Sequence, residues 1–183
     1  VVAPFAGKDG FVLSDGSASV LIEDEKAARE RGARIYCHAA GYGMAHSNVK
    51  FGTLTGSEAG LTNAVNNALA DAGMTIDDID AVFGFANGMK AVDDVEITGV
   101  TAVFGDKLAE KPFVELKEVL GESRAAAATT AAAHAALMFA GKIPSQEAYS
   151  IAADGSVSKT NVEASKLNNV LVVAYGASGS STA

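Results

Sequence analysis

The chain has 183 residues, 49% of them hydrophobic and 20% charged, and a formal net charge of -8. That much apolar content excludes a disordered chain, and the acidic balance excludes nucleic acid as a partner, because phosphate binding needs clustered Lys and Arg. The one cysteine, Cys37, cannot form an internal disulfide and fits a reducing, cytoplasmic setting.

The opening Val1-Val2-Ala3-Pro4-Phe5 has no Met and no basic region ahead of an apolar run, so no signal peptide is read. The chain stops on Ser178-Gly179-Ser180-Ser181-Thr182-Ala183, just after a strand and a glycine turn. We therefore expect a fragment, or one half of a split protein. Phe11 to Glu23 mixes Phe, Val, Leu and Ile with small residues and reads as a strand pair or one long buried strand. Asp24 to Gly32 reads as a short charged helix stopped by glycine, and Arg34 to Met44 returns to strand character. Apolar residues at Leu61, Ala64, Val65, Ala68, Leu69 and Ala72 predict a helix over Glu58 to Ala72, with Gly73 as its stop.

Ile79 to Phe85 reads as a buried strand, and Asp93 to Phe104 as a helix whose Asp93, Asp94 and Glu96 complement the dipole. Pro112 to Leu116 predicts a brief strand, Ser123 to Ala140 a long helix, and Asn169 to Tyr175 a last strand. Asn48 to Ser57 and Pro144 to Lys166 read as surface loops. Strands alternating with helices indicate one α/β domain over residues 1–183, with helices on both faces of its sheet.

The stretch Val119 to Pro144 has the length of a membrane span. Alanine contributes little transfer energy, however, and Arg124 and Lys142 bracket only about 17 residues with His134 near the middle. It reads as a thin, close-packing core helix, not a membrane segment. Gly121-Glu122-Ser123-Arg124-Ala125 approximates a nucleophile elbow. The one later histidine, His134, lies about 16 Å along the same helix at 1.5 Å per residue, so no triad closes and Ser123 reads as a cap. His134 reads as a satisfied core or interface histidine. Cys37 reads as a small buried residue in mid-strand. His38 and His46 do not make the three or four convergent ligands that a metal needs. Asp77, Asp78 and Asp80 read as turn and cap residues.

Several stretches, in order along the chain, resemble the C-terminal half of the β-ketoacyl synthases. Gly10-Phe11-Val12-Leu13-Ser14-Asp15-Gly16-Ser17-Ala18 is similar to their Gly-Phe-Val-x-Gly-Glu-Gly-Ala-Gly segment. Arg31 to Tyr36 and Gly41-Tyr42-Gly43 resemble the strand that follows. Ala86-Asn87-Gly88 falls where the family has Ala-His-Gly, and Val103-Phe104-Gly105 closes the next helix as in the family. Lys117-Glu118-Val119-Leu120-Gly121-Glu122 stands at Lys-Ser-Met-Thr-Gly-His, and Tyr175-Gly176-Ala177-Ser178-Gly179 at Phe-Gly-Phe-Gly-Gly.

The resemblance implies a thiolase-like layered α/β fold of which this chain is the C-terminal half: a mixed sheet with helices on both faces. Ketosynthases join acyl groups by decarboxylative condensation with a cysteine, on the half that this chain lacks, and two histidines. The histidine positions read Asn87 and Glu122. Each histidine donates to the thioester carbonyl as it becomes an enolate. An asparagine amide can still donate, whereas an ionised glutamate cannot and would repel the enolate. Lys117, retained, is placed to pair with Glu122 and hold it ionised. In the loop Gly176-Ala177-Ser178-Gly179, Ala177 replaces a bulky phenylalanine that gates the family's active site.

This pattern is most similar to the chain-length factors, the ketosynthase-β subunits of bacterial type II polyketide synthases. The partners implied are the N-terminal half of the same fold, on this or another polypeptide, an active ketosynthase-α subunit and an acyl carrier protein. No resident cofactor is implied, since acyl groups arrive on the carrier's phosphopantetheine. A second reading is the catalytic half of a split ketosynthase-like decarboxylase or acyltransferase whose nucleophile lies on the missing half. Asn87, still a donor, keeps it open.

Overall fold

The computed structural model describes residues 3–6, 9–50, 52–53, 57–152 and 154–183. Its elements in order are α1 (Glu25–Glu30), β1 (Met44–His46), α2 (Glu58–Ala72), β2 (Ala81–Phe83), α3 (Lys90–Phe104), β3 (Phe113–Val114), α4 (Lys117–Leu120), α5 (Ala127–Phe139), β4 (Ser145–Ile151), β5 (Val157–Glu163), β6 (Val170–Val172), β7 (Ala174–Tyr175) and β8 (Ser180–Thr182). The helix α2 has the bounds that the apolar spacing predicts. It buries Leu61, Ala64, Val65, Ala68 and Leu69, and Gly73 ends it in the left-handed conformation. The predicted loop at Asn48 to Ser57 lies partly outside the described residues.

A five-stranded mixed sheet runs in the order β5-β4-β3-β2-β6, parallel where β2 meets β3 and β6 and antiparallel on the β3-β4-β5 side. Side chains alternate across it, as the period of two requires. Val82, Phe113, Tyr149 and Leu171 join Leu61, Val65, Val95, Val100 and Phe104 of α2 and α3 on one face. Ala81, Phe83, Val114 and Ala148 join Ala131, Ala135 and Met138 of α5 on the other. The sheet is thus sandwiched between helices, as expected. The alanines of α5 bring its backbone close to the sheet, so the helix is core. Among the described residues no helix is long and apolar enough to cross a membrane.

A second, antiparallel sheet has the order β1-β8-β7. It splits the predicted strand at Asn169 to Tyr175: β6 belongs to the first sheet and β7 to the second. Gly43 lies against α2 so closely that a Cβ there would sit 2.0 Å from the Ala64 carbonyl oxygen.

Four expectations fail. Pro144 to Lys166 is no loop but contains the β4–β5 hairpin, whose seven-residue register runs from Ser145 opposite Glu163 to Ile151 opposite Val157. Polar side chains on β5 masked its strand character, because one of its faces is open to solvent. Phe11 to Glu23 is no buried strand. It runs extended and is bridged once, Leu13 to Glu122, with Leu21 80% and Ile22 78% exposed. Arg34 to Tyr42 likewise forms no strand and is mostly exposed, and backbone pairing begins at Gly43, which exchanges both hydrogen bonds with Ala183. Cys37, expected to be buried, is exposed. In these last two stretches the apolar pattern suits a strand, but no strand among the described residues forms a ladder with them.

Phe83 is fully buried where β2 meets α5. Phe83→Ala should lower folding stability by about 3–5 kcal/mol through loss of burial and creation of a cavity. The check is the shift in chemical-denaturation midpoint.

Candidate functional site

The C-terminal end of β2 leads into Gly84-Phe85-Ala86-Asn87-Gly88, which faces the turn from α4 into Gly121-Glu122. The first segment is held by Asp93, in the first turn of α3. Its Oδ1 accepts the backbone N–H of Asn87 and of Gly88, each at 3.1 Å, and its Oδ2 accepts that of Phe5 at 2.7 Å. Burial raises the Asp93 carboxyl pKa, and these three donors oppose the shift. The second segment is held from outside. The Glu122 N–H donates to Val12 O at 2.8 Å, and the Ser14 N–H donates to Glu122 O at 3.2 Å. The extended stretch from residue 12 to residue 14 therefore fixes the backbone that carries Glu122.

The three family positions named from sequence come together. Lys117 Nζ lies 2.9 Å from Glu122 Oε2, and both residues are buried. The same ammonium donates to Phe85 O at 2.8 Å and stands 3.2 Å from the centre of the Phe85 ring. Asn87 Nδ2 donates to Glu122 Oε2 at 2.9 Å, and Asn87 Oδ1 accepts the Met89 N–H at 3.0 Å. The Arg124 N–H donates to Glu122 Oε1 at 2.6 Å. Burial opposes the Glu122 charge, but Lys117, Asn87 and the Arg124 amide outweigh it and lower its pKa. Glu122 is ionised, as the Lys117 pairing implies, and both its oxygens are engaged.

The glycine loop is elsewhere. Gly176 to Gly179 turns β7 into β8, with the Gly176 N–H donating to Ser180 O at 3.0 Å and the Gly52 N–H to Ala177 O at 2.9 Å. Its link to the cluster runs through Tyr175, whose ring lies 5.3 Å from that of Phe85 and whose single hydroxyl proton is shared between Val92 O at 2.7 Å and Glu96 Oε2 at 3.1 Å.

Sequence reasoning undervalued the acids of α3 and missed Glu115. Glu96 is fully buried and accepts the Phe85 N–H at 2.9 Å as well as the Tyr175 hydroxyl, so dipole complementarity is not its role. Burial pushes its carboxyl up to about 7. Glu115, buried in Phe113-Val114-Glu115-Leu116, gave one available signal: a lone acid inside an apolar run. Ser123 stands in the N-cap position before the turn Arg124–Ala126, but its side chain makes no capping bond. His134 is half-buried, and its Nε2 has no hydrogen-bond partner among the described residues. Burial lowers its pKa and keeps it neutral. Asp78 does close a capping box with Thr75, while Asp80 accepts the N–H groups of Asn168 and Asn169.

The model of the β-ketoacyl synthase C-terminal domain matches residues 36–150, which include Asn87, Lys117 and Glu122. The chain belongs to the β-ketoacyl synthase family. A Streptomyces coelicolor relative, provisionally named polyketide β-ketoacyl synthase 2, is 31% identical over 176 residues, 95% of this chain and 41% of that protein. The 3-oxoacyl-[acyl-carrier-protein] synthase 2 of Coxiella burnetii is 30% identical over 121 residues, 66% of this chain and 29% of the relative. The chain thus spans less than half the length of these relatives. Among solved structures, a type II polyketide synthase acyl carrier protein in complex with its ketosynthase matches 98% of this chain and 45% of that one, with TM-score 0.78 and 20% identity. The ishigamide ketosynthase/chain length factor matches 89% of this chain and 47% of that one, with TM-score 0.71 and 23% identity. The fold is the thiolase-like ketosynthase fold that the resemblance implied.

Removing one partner of a buried ion pair strands the other charge. Lys117→Met should therefore cost about 3–5 kcal/mol, and adding Glu122→Gln should recover part of that loss. Denaturant unfolding of the two single variants and the double variant measures the coupling.

Proposed function

We propose that this chain is part of a non-condensing, chain-length-factor-like subunit that completes a ketosynthase heterodimer and helps bound the acyl tunnel. One observation carries the reading: the position where the family has its second histidine is an ionised glutamate, locked by Lys117 and by the Asn87 amide. Condensation needs hydrogen-bond donors aimed where the enolate oxygen gathers charge. Glu122 offers no proton and places a negative charge there. One amide hydrogen of Asn87 is committed to Glu122, which weighs against the reading as a decarboxylase or acyltransferase half.

The partners on this reading are the N-terminal half of the same fold, an active ketosynthase-α subunit and an acyl carrier protein, in the cytoplasm. Acyl groups would come on the carrier's phosphopantetheine, with no resident cofactor. The exposed apolar side chains of residues 11–22 agree with a surface that another part of the fold covers. Gly176, Ala177, Ser178 and Gly179 would border the tunnel without the phenylalanine gate.

The test is Glu122→Ala in the reconstituted complex of this subunit with its ketosynthase and carrier. Product should persist at close to the unmodified yield, measured by mass spectrometry, because Glu122 makes no bond in the chemistry. Abolished product from a correctly assembled complex overturns the reading.

A further inference from the structure

Glu115 lies between β3 and α4, 4% exposed, and neither of its carboxyl oxygens has a hydrogen-bond partner among the described residues. Its neighbour is another carboxylate. A Cβ placed on Gly84 would meet Glu115 Oε1 at 1.8 Å and Glu96 Oε1 at 2.3 Å. Those two oxygens therefore lie within about 4 Å of each other, close enough that both groups cannot readily ionise. Glycine at position 84 is what leaves room for both.

The donors divide the pair unequally. Glu96 accepts the Phe85 N–H on both oxygens at 2.9 Å and shares the Tyr175 hydroxyl proton with Val92 O, so it is the better equipped of the two to carry a charge. Glu115 accepts nothing, and a second carboxylate has no hydrogen to offer it. A proton on Glu115 resolves both problems, because it removes one buried charge and donates to Glu96. The other groups that face the pair are Lys117 at the start of α4, Asp93 in the first turn of α3 and Tyr175 on β7. Lys117 is already engaged with Glu122 and Phe85.

We propose that Glu115 is held as the neutral acid, donates its proton to Glu96, and forms a pH-sensitive switch beneath the Lys117–Glu122 site. When Glu115 ionises, two carboxylates face each other across Gly84. Glu96 is then driven off the Phe85 N–H and the Tyr175 hydroxyl, so the β7–β8 turn and the Phe85 platform for Lys117 loosen together.

The sign of the pH dependence follows from the direction of the shifts. Burial, then each other's charge, raises Glu115 well above the ordinary range, and burial raises Glu96 to about 7. Unfolded glutamates ionise near about 4.3. The folded state thus binds more protons than the unfolded one above that pH. Stability is full below it and falls as pH rises through the folded pKa values.

Glu115→Gln tests this, because its amide can donate to Glu96 but cannot ionise. It is made in the protein as isolated with the polypeptide that completes its fold. The parent's melting temperature should fall from roughly pH 5 to pH 9. The variant should melt at or above the parent's temperature at the alkaline end and lose most of that slope. Infrared spectra with isotope-labelled glutamate should show a protonated carboxyl band at neutral pH in the parent, missing in the variant. An unchanged slope, a variant that melts lower at alkaline pH or fails to fold, or no protonated carboxyl in the parent would each overturn the proposal. None of these outcomes depends on the product of the assembled complex, so this proposal and the one for Glu122 fail separately.

Discussion

The organisation of the site rests on one buried ammonium. Lys117 starts a four-residue helix and would be expensive to bury alone. Its cost is offset because it meets a carboxylate, a carbonyl and an aromatic face together. The contacts come from two separate parts of the chain, Phe85 and Glu122, and a third part joins through Asn87. Phe85 follows β2, Glu122 follows α4, and Asn87, bonded to the same Glu122 oxygen, precedes α3. If Lys117 moves, the parallel junction of β2 and β3 remains, but the loops at its end lose their common anchor.

That anchor works only because the surrounding acids are dealt with differently. Three buried carboxyls feel the Lys117 charge, Glu96, Glu115 and Glu122, and Asp93 lies close by. Asp93 is answered by three backbone N–H groups and Glu122 by Lys117 and two further donors. Glu96 takes a backbone N–H and a phenol. None of these donors reaches Glu115, which is why it stands apart. A site in which charge is balanced by fixed dipoles more than by counter-ions tolerates little rearrangement.

Where helical period and capping agree, as in α2 with Gly73 behind it, the sequence is enough, because local packing and local conformation ask for the same residues. The pairing of Lys117 with Glu122 was legible only through the family resemblance, which retains the lysine and places Glu122 at a histidine position. What could not be read was which apolar runs have partners. Val12, Leu13, Leu21 and Ile22 carry the composition of a strand, yet strand formation depends on a neighbour that local pattern does not specify. The hairpin of β4 and β5 failed in the opposite direction, since its polar solvent face hid a pairing that runs for seven residues. Glu115 escaped because the cost of burying an acid depends on what lies across from it, and Glu96 is 19 positions away in sequence.

The exposed stretch and the site are not independent. The backbone of Val12 and Ser14 holds Glu122 in place, while the side chains of Val12 and Leu13 are more than half exposed. One short segment thus has two jobs: its main chain builds the wall that carries Glu122, and its apolar side chains face outward. A segment paired along only one edge is fixed weakly, because an extended chain gains most of its order from neighbours on both sides. The position of Glu122 is therefore set from within by Lys117 and Asn87 and from without by a strand-like segment. On the proposed reading, the other half of the fold completes the outer support, and the distance between Glu122 and Lys117 becomes sensitive to assembly although neither side chain reaches the surface.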